Sequence, residues 1–229
     1  MQTLPVDELV ALTELTFIAF DTETTGLSPL QDSLLEVSAV KFRLNEQLQA
    51  QVISEFSQLI NPRCAIPFGV IKIHGITNEM VDGCPPIESV IPQFLKWLGP
   101  NDQVLLAHNA SFDLNFLHIA LNICNFDLPD HLVLDTLPLS RKILSEPANH
   151  RLQTLIEHLD LEAAGYHRAL ADSYHVMNLF TALINKYRTT QPNKHNPTLI
   201  EDLVGMSGGK CFNKQAYEKS RLRKSLAML

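Results

Sequence analysis

The sequence predicts an α/β protein in which a mixed sheet is flanked by helices. Two observations lead to this. Three apolar strand-like runs come first, and shorter apolar runs then alternate with helical patterns. The chain also has 229 residues, 45% of them hydrophobic, which is enough for one ordinary domain with a real core plus an appendage.

Each element has a local reason. After a short amphipathic lead-in over residues 1–14, "FIAFDTE" reads as a central strand. "LLEVSAVKFRL" and "AQVISEFSQLI" read as the next two, with "NEQ" near the turn between them. "NPRCAIP" is a loop, and "GVIKIHGITNEMV" is short helix broken around Gly75. "IESVIPQFLKWLG" is a helix stopped by Gly99. "QVLLAHN" is a fourth strand, "SFDLNFLHIALNIC" a helix and "HLVLDT" a fifth strand. "LPLSRKIL", "RLQTLIEHL" and "RALADSYHVMNLFTALINKY" complete the helices. From Arg188 the pattern stops: "TTQPNKHNPT" reads as a linker, and the last thirty residues as a weakly helical basic tail. The expected organisation is a lead-in over 1–14, a domain over 15–187, and a linker and tail over 188–229.

Composition narrows the class. The N-terminal "MQTLPVDELV" has neither a basic region nor an apolar run of signal-peptide type. No stretch approaches the roughly 20 apolar residues of a membrane span. Cys64, Cys84, Cys124 and Cys211 show no CxxC spacing, so a disulfide framework or zinc site is not expected and a reducing cytoplasm is. The net charge of −7 is uneven: residues 210–229 carry six Lys or Arg and one Glu, leaving −12 on the rest. A body of that charge meets nucleic acid only where something local overcomes the repulsion.

Four acids occupy positions that should be apolar. Asp21 and Glu23 are two apart at the end of the first strand and therefore share a face. Asp113 opens the stripe Phe116, Leu117, Ala120 and Leu121 on its own helix. Asp172 does the same ahead of Val176, Leu179, Phe180 and Leu183. Two like charges about 4 Å apart repel by roughly 4 kcal/mol at an effective dielectric of about 20. Four together require protonation, cationic partners or metal, and Arg168 and Lys41 are the nearest cations in sequence. Hard divalent cations suit all-oxygen ligands, and Mg²⁺ or Mn²⁺ fits better than zinc. His167, five residues before Asp172, falls in the loop preceding that helix, where it is a candidate general base.

"FDTETTGL", "HNASFD" and "HRALAD" resemble the three motifs of the DEDDh branch of the DnaQ-like 3′→5′ exonucleases, the family of the proofreading epsilon subunit of bacterial DNA polymerase III. Asp21 and Glu23 match the first motif. Asn109, Phe112 and Asp113 match the second, and His167 and Asp172 the third. "IKIHGIT" and "HRLQTLIEHL" resemble intervening segments, and the likeness spans roughly residues 15 to 187. It implies an RNase H-like exonuclease fold with a mixed five-stranded sheet.

The resemblance also implies a mechanism. Two divalent ions, Mg²⁺ or Mn²⁺, would be held by the metal-ligating and catalytic carboxylates Asp21, Glu23, Asp113 and Asp172. Asp21 would bridge the ions, and His167 would be the base for in-line hydrolysis releasing nucleoside 5′-monophosphates. Backbone around Thr24 would bind the terminal 3′-hydroxyl. Leu27, Ile73, His74 and Phe112 would surround the terminal base or sugar, and Asn109 would approach the backbone. Apolar stacking of this kind tolerates any sequence. The implied partners are single-stranded or frayed nucleic-acid 3′ ends and, through the C-terminal tail, a DNA polymerase.

Other readings remain at this point. "DTETT" is similar to the first motif of haloacid-dehalogenase-type phosphatases, but the second acid is Glu and no late acidic motif follows. A non-catalytic polymerase accessory module would not need four mutually repelling acids. An RNA-trimming exoribonuclease of the same family keeps the chemistry and changes the sugar, and no residue here reads a 2′-hydroxyl.

Overall fold

The computed structural model describes residues 12–162, 167–190, 200–208 and 210–211. A 3₁₀ turn, Leu12–Glu14, leads into β1, Thr16–Thr24. β2, Leu34–Leu44, and β3, Ala50–Leu59, follow it as an antiparallel meander. The Asn45 carboxamide accepts from the backbone N–H of Gln47 and Gln49, which closes the β2–β3 turn. Next come α1, Phe68–His74, α2, Asn78–Asp82, and α3, Ile87–Leu98. Gly75 stops α1 in a left-handed conformation, φ 73°, which costs glycine nothing. β4, Val104–Ala107, α4, Ser111–Ile123, and β5, Leu132–Asp135, form a parallel crossover. α5, Thr136–Ile143, α6, Leu152–His158, and α7, Ala169–Thr190, complete the body.

The sheet order is β3-β2-β1-β4-β5-β6, with β1 antiparallel to β2 and parallel to β4. The five expected strands are present. The sixth, β6, Lys210–Cys211, is a two-residue antiparallel edge to β5. Ahead of it, α8, Ile200–Ser207, buries Ile200 and Leu203 in the main core. Part of the segment read as tail is therefore folded onto the body. The basic stretch beyond residue 211 lies outside the described residues, as does the lead-in before residue 12.

Period two on β1 divides the interior. Phe17 and Ala19 join Val40 and Phe42 of β2 beneath α5, α6 and α7. Ile18 and Phe20 join Val37 and Ala39 against α3 and α4. Burying these two faces of a single sheet is the main stabilising term. Phe17 packs between Phe42 and Phe180, with ring centroids 5.5 and 5.1 Å away. A smaller cluster of Leu35, Ile66, Ile76 and Val81 seats α1 and α2. No described helix is long and apolar enough to cross a membrane.

Candidate active site

β4 stops pairing with β1 at the Ala19–Leu106 pair, while β1 runs on to Thr24. The last five residues of β1 therefore project beyond β4. Asp21 and Glu23 continue the alternation of Phe17 and Ala19 and face α7. Thr22 continues that of Ile18 and Phe20 and faces α4. A register shift in the β1–β2 ladder lies between Glu23 and Thr24, and such bulges re-aim the chain at the end of a strand.

On the α7 face, ligand oxygens of Asp21, Glu23 and Asp172 all lie within 4.8 Å of one another. Asp113 reaches the same strand end from the other side. It accepts from Thr22 N at 3.0 Å and from Thr22 Oγ1 at 2.7 Å. Its carboxylate thus takes up a strand N–H that β4 no longer reaches. The four acids repel one another through the end of one strand. Burial, then Asp113, Asp172 and Glu23, hold Asp21 well above the usual carboxylate range. Burial, then Asp172 and Glu36, push Glu23 up to about 8. Burial raises Asp113 to about 7, against the two bonds from Thr22.

The other predicted site residues differ in exposure and backbone conformation. His167 is exposed, with φ 63°, and its backbone N–H donates to Asp172 Oδ2 at 3.1 Å. The other Asp172 oxygen is 3.0 Å from His175 Nδ1. Asn109 is also exposed and left-handed, φ 66°. Leu27 and Ile73 are exposed, at 84% and 58%. Phe112 is half-buried, its ring 5.1 Å from that of Phe116. Thr24 is buried, and its hydroxyl donates to the Gly26 carbonyl at 2.6 Å. His74 is buried as well, and its Nδ1 accepts from Ile76 N at 3.0 Å. Burial lowers the pKa of His74, with the Thr24 backbone opposing the shift.

The two cations nearest in sequence do different work. Lys41 points to the α3 side, where Nζ donates to the Trp97 carbonyl at 2.8 Å and stands 4.7 Å from the Trp97 ring centroid. Arg168 pairs with Glu36, a fifth acid that sequence reasoning passed over. Glu36 is 1% exposed and opposes Glu23 directly across the β1–β2 ladder. Its signal was available: it is an acid inside "LLEVSAV", in phase with Ser38 and Val40. Asp135, at the end of β5, was missed too. Its carboxylate accepts from Asn109 N at 2.9 Å, Ala110 N at 3.1 Å and Leu137 N at 3.0 Å, and so holds the left-handed turn that launches α4.

The donor set around Asp21 is all oxygen and highly anionic, which fits a hard divalent cation such as Mg²⁺ or Mn²⁺. Residues 18–180 match the family RNase_T, described as Exonuclease. The chain belongs to this exonuclease family. Among curated relatives, the DNA polymerase III PolC-type of Oceanobacillus iheyensis is 38% identical over 184 residues, 80% of this chain. That of Bacillus subtilis strain 168 is 39% identical over 211 residues, 92% of this chain. The exonuclease chain spans only 12% and 14% of these two relatives. Among solved structures, Exonuclease X in complex with 5′ overhanging duplex DNA has a TM-score of 0.59 at 24% identity, covering 84% of this chain and 99% of that one. E. coli Exonuclease I with a dA16 oligonucleotide has a TM-score of 0.65 at 18% identity, covering 78% and 42%. These likenesses identify the fold as the RNase H-like exonuclease fold with its mixed sheet.

Proposed function

We propose that this exonuclease is a metal-dependent 3′→5′ enzyme that releases nucleoside 5′-monophosphates from DNA 3′ ends and serves a DNA polymerase in proofreading. The observation that carries the reading is the convergence of Asp21, Glu23 and Asp172 within 4.8 Å, beside a loop that bears His167. Asp21, Glu23 and Asp172 would hold a divalent ion, Mg²⁺ or Mn²⁺, and Asp113 would act on a second. Bound there, the ions supply charge neutralisation, activation of water and stabilisation of the departing 3′ oxygen. His167 accepts the proton of the attacking water. Backbone near Thr24 receives the terminal 3′-hydroxyl. Leu27, Ile73, His74 and Phe112 surround the terminal base or sugar, and Asn109 approaches the phosphodiester backbone.

The names of the PolC-type relatives support a replicative setting. The basic segment after residue 211 is the proposed tether to the polymerase. A chain cut after Cys211 keeps α8 and β6, and loss of polymerase co-purification in that truncation is the expected result. The activity itself is tested by digesting 5′-labelled single-stranded DNA, a 3′-mismatched duplex and RNA side by side with Mg²⁺ or Mn²⁺. A ladder shortening one nucleotide at a time from the DNA 3′ end is expected. Shortening from the 5′ end, or a preference for RNA, would replace the proposal.

A further inference from the structure

Glu36 is a further carboxylate on the α7 face, beside Asp21, Glu23 and Asp172. A guanidinium holds its carboxylate. Arg168 Nε donates to Oε2 at 3.2 Å and Nη2 donates to Oε1 at 3.1 Å, a two-pronged contact that fixes the guanidinium in position and orientation. The N–H of Ala169, the first residue of α7, also donates to Oε2 at 3.3 Å. Glu36 therefore anchors the start of α7 to β2 through both backbone and side chain.

That anchor sits one residue after His167, whose φ is 63°. A residue other than glycine rarely adopts this conformation and keeps it only where the surroundings over-determine it. Here both sides are pinned. On one side His167 N donates to Asp172 Oδ2, and on the other Arg168 is forked to Glu36. We propose that Glu36 and Arg168 form a positioning clamp that sets the backbone of His167, and that Glu36 does not ligate metal. The inference rests on the general-base reading of His167 given above. A lysine at 168 would keep the charge and lose the fork, so it separates geometry from electrostatics.

The test uses the full chain and the variants Arg168→Lys, Glu36→Gln, His167→Ala and the double variant His167→Ala/Arg168→Lys. The Arg168 side chain is 46% exposed, so its lysine variant is expected to fold. Three quantities are measured: steady-state hydrolysis of labelled single-stranded DNA, Mn²⁺ affinity by calorimetry, and the His167 ring signals by NMR in metal-free protein. Arg168→Lys is expected to lower kcat by about tenfold or more, with KM and Mn²⁺ affinity within about threefold of the parent. The His167 signals should shift or broaden. The double variant should be no slower than His167→Ala alone, because the clamp acts through the ring that is gone. The clamp is overturned if Arg168→Lys slows the His167→Ala background by its full factor, or if Glu36→Gln weakens Mn²⁺ binding by more than about tenfold. A His167→Ala enzyme of parental rate would sink the general-base reading itself. A slow His167→Ala beside a parental Arg168→Lys would sink the clamp alone.

Discussion

Thr22 donates twice to one oxygen of Asp113, through its backbone N–H at 3.0 Å and its hydroxyl at 2.7 Å. The pair joins the tip of β1 to the first turn of α4 and spans 91 residues of sequence. Both bonds favour the ionised acid, against the burial that raises it to about 7. Thr22→Val keeps the backbone bond and removes the hydroxyl. A bond to a charged group contributes about 1.5–3 kcal/mol, so stability at neutral pH should fall by that order. Asp113 should then titrate still higher. An NMR titration of the metal-free variant is expected to show that rise, and an unmoved Asp113 would mean that the hydroxyl does not favour the ionised acid.

Metal-free protein should lose stability as the site ionises. The folded value of Glu23, about 8, lies above its ordinary 4.5. Its contribution is therefore full below pH 4.5 and lost as pH rises through about 8. Asp113 behaves alike between its ordinary 3.8 and about 7. Thermal melts without metal are expected to show this decline, and Glu23→Gln should flatten it. Mn²⁺ should raise Tm more at about pH 8 than at about pH 5.5, because binding there displaces fewer protons. Equal stabilisation at both values would count against these acids as the binding site.

Asp21→Asn separates stability from catalysis. The substitution removes a charge that Asp113, Asp172, Glu23 and Glu36 all repel. The metal-free variant should melt above the parent at about pH 8. Hydrolysis of labelled DNA should vanish at every Mg²⁺ or Mn²⁺ concentration. Residual metal-dependent cleavage would remove Asp21 from the proposed mechanism.

Asp135→Ala tests the turn that launches α4. It withdraws the acceptor for three backbone N–H groups, those of Asn109, Ala110 and Leu137. Ala110 is fully buried, so its N–H cannot turn to water. A buried donor without a partner costs about 1–3 kcal/mol, and urea denaturation should show a loss of that size or more. A loss below about 1 kcal/mol would show that the turn holds itself.

Much of this molecule was legible in one dimension. β2 occupies the residues that its apolar run marks, Leu34–Leu44, and Gly99 ends α3 where the pattern breaks. Asp113 and Asp172 stood out because each heads an apolar stripe whose other members are buried: Phe116, Leu117, Ala120 and Leu121 in α4, and Val176, Leu179, Phe180 and Leu183 in α7. The same rule applied to "LLEVSAV" would have found Glu36. α8 was harder to read, because its eight residues follow a polar segment and bury Ile200 and Leu203 only by docking on the body.

The sequence by itself determined which side of its own strand or helix each acid occupies, because backbone period is a local property. Only the tertiary structure decided which acids meet. Strand order puts β1 between β2 and β4, and the early end of β4 leaves Thr22 to Asp113 on one face while Asp21, Glu23 and Asp172 gather on the other. Arg168, within five residues of Asp172 in sequence, is claimed instead by Glu36, 132 positions away. Partner choice of this kind follows from long-range pairing and relative strand length, which no local pattern encodes.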